Sequence, residues 1–307
     1  MTTPTAPLTL LQTAAAVAGA QEYPASALYV VATPIGNLAD LSLRAVQVLS
    51  RVDAVACEDT RHSGQLLRHL GLDKPLLALH EHNEREAAQD VVARLSRGER
   101  VAYVSDAGTP AISDPGARLV AAARAAGFRC VPLPGPSSVV TALSVAGVEA
   151  PGGFHFIGFL PAAARERERV LSACAQQADT QVLFEAPHRI EALCASLAAL
   201  CPERVVSLCR ELTKQFESVH TLPAGEAPAW LAAQPQRSRG EFVVVLHGLA
   251  APKASVEIDP AHERCLSTLM RELPLKQAVA LATEITGASR NLLYARALEL
   301  KAGADDL

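Results

Sequence analysis

Short apolar runs alternate with amphipathic stretches through the first 133 residues of the chain. Leu28 to Thr33 reads as a buried strand, because it is short, apolar and rich in β-branched residues. Asp40 is then placed to cap a helix over 41–50, with Leu43, Val46 and Leu49 on one face. The same rhythm predicts strands over 52–57, 76–80, 101–104 and 129–133, and helices over 63–70, 84–96 and 117–126. Strands that alternate with helices in this way form a parallel sheet covered on both faces. Ser137 opens a further helix, 138–146, behind the turn Pro134-Gly135-Pro136.

After Gly152-Gly153 the pattern changes. Strands are expected over 154–160, 181–185, 204–209 and 242–246, and helices over 190–200 and 227–233. A charged helix carrying Arg165-Glu166-Arg167-Glu168-Arg169 lies between the first two strands; its alternating signs suit a solvated face. Fewer helices per strand predict a second α/β unit with a mixed sheet. Residues 250–259 read as a linker, and 262–300 as helical, broken near Pro274 and Gly287. The expected organisation is a disordered or loosely helical extension (1–27), an N-terminal α/β domain (28–135), a second α/β domain (136–249) and a small helical C-terminal domain (260–307).

Composition narrows the function classes. Half of the 307 residues are hydrophobic, enough for sizeable cores. The net charge of −4 argues against tight binding to naked nucleic acid, and 4% aromatics argue against a base-stacking platform. The seven cysteines are scattered with no Cys-x-x-Cys, as expected of reduced thiols in a cytoplasmic protein. The apolar stretch Leu8 to Ala20 has no Lys or Arg before it, unlike a signal peptide, and is too short and Ala-rich to span a membrane.

Neither a P-loop nor a Gly-x-Gly-x-x-Gly follows the first strand, so a conventional nucleotide or Rossmann site is not supported. Polar loops stand there instead at successive strand ends: Pro34 to Asn37, Glu58 to Arg61, Asp106 to Thr109 and Pro134 to Ser137. In a parallel sheet these emerge at one edge, where open α/β sheets bind ligands. His80 and His82 sit two apart and diverge on a strand, so His80-Glu81-His82-Asn83-Glu84 reads as a polar strand exit, and no metal site is expected. On residues alone, this is a two-domain cytoplasmic α/β enzyme with a ligand cleft at the strand ends of its first domain.

The motifs TPIGNLADLSLRA, EDTRHSGQLLRHLG, HEHNE, SDAGTPAISDPG, PGPSS, FEAPHRI, RELTKQFE and RGEFVVVL fall in an order that resembles one family. It is the ribosomal RNA small subunit methyltransferase I group of the tetrapyrrole methylase superfamily, the class III S-adenosylmethionine methyltransferases. The likeness covers residues 28–248 and continues weakly through the helical tail; PGPSS replaces the more usual PGPSA, and RGEF the usual KGEF.

That resemblance implies transfer of a methyl group to the ribose 2′-hydroxyl of a cytidine in 16S rRNA, in the assembled small ribosomal subunit, by a metal-free homodimer. It implies a site for S-adenosylmethionine between the α/β domains, formed by Pro34 and Gly36, by Asp106, Ala107, Gly108, Thr109 and Ile112, by Ser137 and Ser138, and by Phe184 and Glu185. Candidate catalytic residues are Glu58, Asp59, Arg61, Glu211 and Lys214, with His188 a further proton acceptor and Arg189 and Arg210 further phosphate contacts. Two alternatives remain: a tetrapyrrole (precorrin or uroporphyrinogen) methyltransferase of the same fold, or a non-catalytic module that binds S-adenosylmethionine or the ribosome.

Overall fold

A computed structural model describes residues 9–80, 82–149, 152–249 and 258–305. The chain divides into two compact units, 1–248 and 249–307.

The first unit opens with helix α1 (Leu10–Ala18), within the stretch expected to be a disordered or loosely helical extension. Thr9 and Gln12 close a capping box at its start, and Ala14 and Ala18 are buried. Small side chains on that face let α1 pack closely on α2 (Leu43–Arg51). The cap of α2 is Ser42, which accepts from Ala45 N at 3.1 Å; Asp40 lies instead in a 3-10 turn capped by Asn37. Residues 1–8 lie outside the described residues, as do Glu81 and most of the expected linker, 250–257.

The first sheet contains β1 (Ala27–Val31), β2 (Ala54–Cys57), β3 (Leu76–Ala78), β4 (Arg100–Val104) and β5 (Arg129–Leu133). All neighbours are parallel, in the order β3-β2-β4-β1-β5. Side-chain alternation sends Tyr29, Val31, Cys57 and Val104 to the face covered by α1, α2 and α3 (Thr60–His69). It sends Leu28, Ala56, Val101 and Tyr103 to the face covered by α4 (Glu84–Ser96) and α5 (Ala117–Ala125). Helix α3 starts earlier than its apolar pattern suggests, because Asp59 caps it.

The second sheet is mixed. Its strands are β6 (Phe154–Phe159), β7 (Thr180–Glu185), β8 (Val205–Arg210), β9 (Ser218–Pro223) and β10 (Phe242–Leu246), in the order β6-β7-β10-β8-β9. The β6–β7 pair is parallel and the other pairs are antiparallel. Helix α6 (Ser138–Ala146) covers one face, through Val139 and Ala142 against Val243 and Val245. The other face packs on α7 (Ala164–Gln176), α8 (Ile190–Leu200) and α9 (Ala227–Ala232). The edge strand β9 has no counterpart in the sequence reading.

The second unit holds α10 (Pro260–Glu272), α11 (Leu275–Thr286) and α12 (Arg290–Asp305). Leu266, Val279, Ala282, Leu293 and Ala297 form its core. Gly287, at φ 69°, ends α11 in the left-handed conformation, and α12 follows after a short turn.

Candidate functional site

The strand-end loops of the first sheet meet the second sheet in a cleft. After β1 the chain runs out through Thr33, which forms an antiparallel bridge with Gly108: Thr33 N donates to Gly108 O at 2.9 Å, and Gly108 N to Thr33 O at 3.0 Å. Gly108 takes φ 88°, a conformation that favours glycine, so the loop after β4 can turn under this bridge. Thr33 Oγ1 and Ser105 Oγ donate to backbone carbonyls within the same loop pair. Ile35, just beyond, reaches the apolar face of the second sheet.

Three adjoining cavities open there. The first, about 400 Å³, is walled by Phe159, Phe184, Leu212, Phe242 and Val243, with Ser138, Asp114 and Glu185 as polar members. The second, about 520 Å³, is lined by Thr33 to Gly36 and Leu38, by Asp106 and by the α3 side chains His62, Gln65, Leu66 and His69. Ile35, Ala107, Lys214 and Glu241 line both, so they form the partition between them. A third hollow of about 60 Å³ lies under Gly108, Thr109, Ile112, Ser137 and Ser138.

The partition is built by a strained segment. Glu211 and Thr213 have φ of 51° and 65°, sparsely populated for residues other than glycine. The turn is held by Glu211 N donating to Glu241 O at 3.0 Å and Glu241 N to Glu211 Oε1 at 2.9 Å. Lys214 Nζ donates to Glu211 Oε1 at 2.9 Å and to Glu241 Oε2 at 2.8 Å. Burial opposes the Lys214 charge, but hydrogen bonds to the two carboxylates outweigh it and raise its pKa.

Glu185 is buried at the end of β7, where its Oε1 accepts from Ala186 N at 2.9 Å and pairs with Arg189 Nε at 3.2 Å. Phe184 meets Phe156 and Phe159 edge-on, at 4.9 and 5.5 Å between centroids. Asp114 is partly buried; desolvation raises its carboxyl pKa, a Ser105 hydrogen bond opposes this and nearby Asp106 adds to it. Its loop is fastened from outside the cleft. Glu84 Oε1 accepts from Gly116 N at 2.9 Å and from Arg118 N at 3.0 Å, so α4 caps the start of α5. Asn83 ties the strand exit, accepting from His80 N at 2.8 Å and donating to Ala78 O at 3.0 Å. His80, Asn83 and Glu84 of the HEHNE motif therefore shape the loops that they fasten. Among the described residues, no group of three or more His, Cys, Asp or Glu is placed to hold a metal ion.

The expected cofactor residues distribute over all three cavities. Phe184, Glu185, Ala107 and Ser138 line the first, while Pro34, Gly36 and Asp106 line the second. Gly108, Thr109, Ile112 and Ser137 line the small hollow. Of the expected catalytic residues, Lys214 lines the cleft and Glu211 holds it there. Glu58, Asp59, Arg61 and His188 are not among the lining residues. Asp59 accepts from Arg61 Nε at 3.1 Å and Nη2 at 2.7 Å, and this pairing holds its carboxyl well below the usual range. Its backbone N donates to Asp106 Oδ1 at 3.2 Å. The sequence reading missed His62, Gln65 and His69, although their spacing of three and four marks one helix face. It did not name as a site residue Glu241, which RGEF contains and which immediately precedes β10.

The two sheets and the cleft between them define a methylase architecture. Residues 27–228 match the family described as tetrapyrrole (corrin/porphyrin) methylases, and residues 256–301 match the RsmI C-terminal HTH domain. The crystal structure of uroporphyrin-III-C-methyltransferase from Thermus thermophilus covers 72% of this chain and 94% of its own, at TM-score 0.50 and 23% identity. The methyltransferase CobJ covers 72% and 93%, at TM-score 0.55 and 18% identity. These two share the fold. Ribosomal RNA small subunit methyltransferase I of Pseudomonas aeruginosa is 49% identical over 90% of this chain and 98% of its own length. The Escherichia coli O157:H7 protein of that name is 47% identical over 89% and 94%. The chain belongs to the ribosomal RNA small subunit methyltransferase I family.

Proposed function

We propose that the chain transfers a methyl group from S-adenosylmethionine to the ribose 2′-hydroxyl of a cytidine in 16S rRNA, within the assembled small ribosomal subunit. The observation that carries this reading is the pair of adjoining cavities with a shared, polar partition, in a member of this family. The first cavity has a size usual for small-molecule sites. Its chemistry fits S-adenosylmethionine. The aromatic and aliphatic walls suit a purine, and the Asp114 and Glu185 carboxylates suit a cation. Ser137 makes no side-chain cap at the start of α6, so backbone N–H groups there are available to a carboxylate.

When bound, S-adenosylmethionine supplies an electrophilic methyl group on a sulfonium sulfur. The chain's own task is to hold a ribose hydroxyl in line with that group, exclude water and receive one proton; no covalent nucleophile is needed. On this reading the encounter falls at the partition, whose apolar members are Ile35 and Ala107.

The helical C-terminal unit supports RNA docking: Lys276 and Arg290 are exposed at the starts of α11 and α12. A net-acidic chain reaches RNA through such local patches and through the shape of a folded particle. The working form is a cytoplasmic homodimer, for which the exposed apolar Val140, Val145, Phe216 and Val219 supply contact surface. Light scattering at micromolar concentration checks the dimer, and a monomer there refutes it. The functional test is label transfer: tritiated S-adenosylmethionine gives labelled small-subunit RNA if the reading is right, and unlabelled RNA if the chain is a binding module.

A further inference from the structure

The hydroxyl's proton needs an acceptor at the place where donor and acceptor meet. Four residues line both large cavities, and of these Lys214 and Glu241 are the ones that carry a titratable side chain. Lys214 donates to two carboxylates and is held as an ammonium, which has no lone pair to accept a proton. Glu241 is an acceptor. Its Oε2 takes the Lys214 hydrogen bond at 2.8 Å, and its backbone is fixed by the reciprocal bonds with Glu211. Among the described residues, no hydrogen bond engages Oε1. The Glu241 side chain is 81% exposed, so an incoming substrate can reach it. Asp59 is by contrast closed off by Arg61, and Glu211 Oε1 is shared by Lys214 Nζ and Glu241 N.

We propose that the cavity beside α3 receives the acceptor nucleotide, unstacked from its neighbours, and that Glu241 accepts the proton of its ribose hydroxyl. This rests on the methyl-transfer reading above. The hydroxyl oxygen bonds to the methyl carbon as the carbon–sulfur bond breaks. The electron pair of that bond stays on sulfur, leaving a neutral thioether, and the hydroxyl proton passes to the Glu241 carboxylate. Lys214 is a positioning residue that aims the carboxylate. The cavity volume of about 520 Å³ admits a nucleotide, and the Gln65 amide offers both a donor and an acceptor to a base edge.

The test compares Glu241→Gln and Glu241→Ala with the unsubstituted protein. Calorimetry reads S-adenosylmethionine affinity, filter binding reads small-subunit affinity, and single-turnover labelling reads transfer. Both variants keep both affinities within about twofold and lose about 100-fold or more in transfer rate, the usual range for general-base catalysis. Sodium formate, against sodium chloride of equal ionic strength, restores part of the rate to Glu241→Ala and none to Glu241→Gln. A Gln variant within threefold of the unsubstituted rate overturns the assignment. So does a loss matched by either affinity, or an Ala variant that formate leaves unchanged. Failure of the unsubstituted protein to label RNA would instead refute the methyl-transfer reading itself.

Discussion

The stem of Lys214 crosses Gly36 in close contact: a Cβ on Gly36 would lie 2.5 Å from Lys214 Cγ and 2.9 Å from Thr213 Oγ1. The first strand-end loop of one sheet thus abuts the strained turn after β8 of the other. Gly36→Ala should push Lys214 off its two carboxylates. Overpacking of this kind costs about 1–3 kcal/mol. We expect transfer to fall about tenfold or more while the helical content by circular dichroism is unchanged. Full activity in the Gly36→Ala variant would mean that the Lys214 position is immaterial.

Glu84 satisfies two backbone donors at the start of α5 from another helix. Glu84→Ala orphans both, in a largely buried place, and should destabilise the chain by about 1–3 kcal/mol. Glu84→Gln keeps an oxygen acceptor and should lose less. Because the cap fixes the loop that carries Asp114, weaker S-adenosylmethionine binding should accompany the loss of melting temperature. Calorimetry and thermal denaturation read the two together; a lower melting temperature with unchanged affinity would separate the cap from the site.

Asp114 gives a pH dependence whose sign is set by burial. Its folded-state pKa is raised, so the folded chain binds this proton more tightly than the unfolded chain. Its effect on stability is therefore unfavourable once pH rises above the ordinary carboxylate value, and grows until the folded-state value is passed. Asp114→Asn should raise the melting temperature at neutral pH and remove this part of the pH slope. On the proposed cofactor site it should also weaken S-adenosylmethionine about tenfold, by loss of a charge expected to face a cation. A variant that is less stable at neutral pH would show that the carboxylate is favourably placed without ligand.

Lys276 and Arg290 are exposed helix-start residues of the C-terminal unit. Lys276→Ala or Arg290→Ala should weaken small-subunit binding and make the logarithmic salt slope shallower by about one unit or slightly less for each phosphate contact removed. S-adenosylmethionine affinity should stay the same. Unchanged slopes in both variants would make this unit a packing element.

Much of the fold was legible because each sheet has its own pattern. Apolar runs such as Val101 to Val104, followed by turn residues, mark strands buried on both faces. Strand β9 escaped because it is a half-exposed edge: in Ser218-Val219-His220-Thr221-Leu222, Leu222 is the buried side chain. The packing of helix α1 escaped because alanines supply its buried face, and alanine alone does not announce burial. The strand-end loops identified the cleft, since a parallel sheet puts them on one side. The division into two cavities was not legible. It depends on Lys214 and Glu241 arriving from the second sheet, and Asp59, which looks catalytic in EDTR, is occupied as the cap of α3.

On the proposed function, two adjoining cavities join a methyl donor to a ribose in small-subunit RNA. Mapping 2′-O-methyl groups in 16S rRNA, from a strain that lacks this gene and from the same strain carrying it on a plasmid, tests this most directly. A methyl group on one cytidine ribose should disappear in the first and return in the second. A methylation map identical in both strains would contradict this reading.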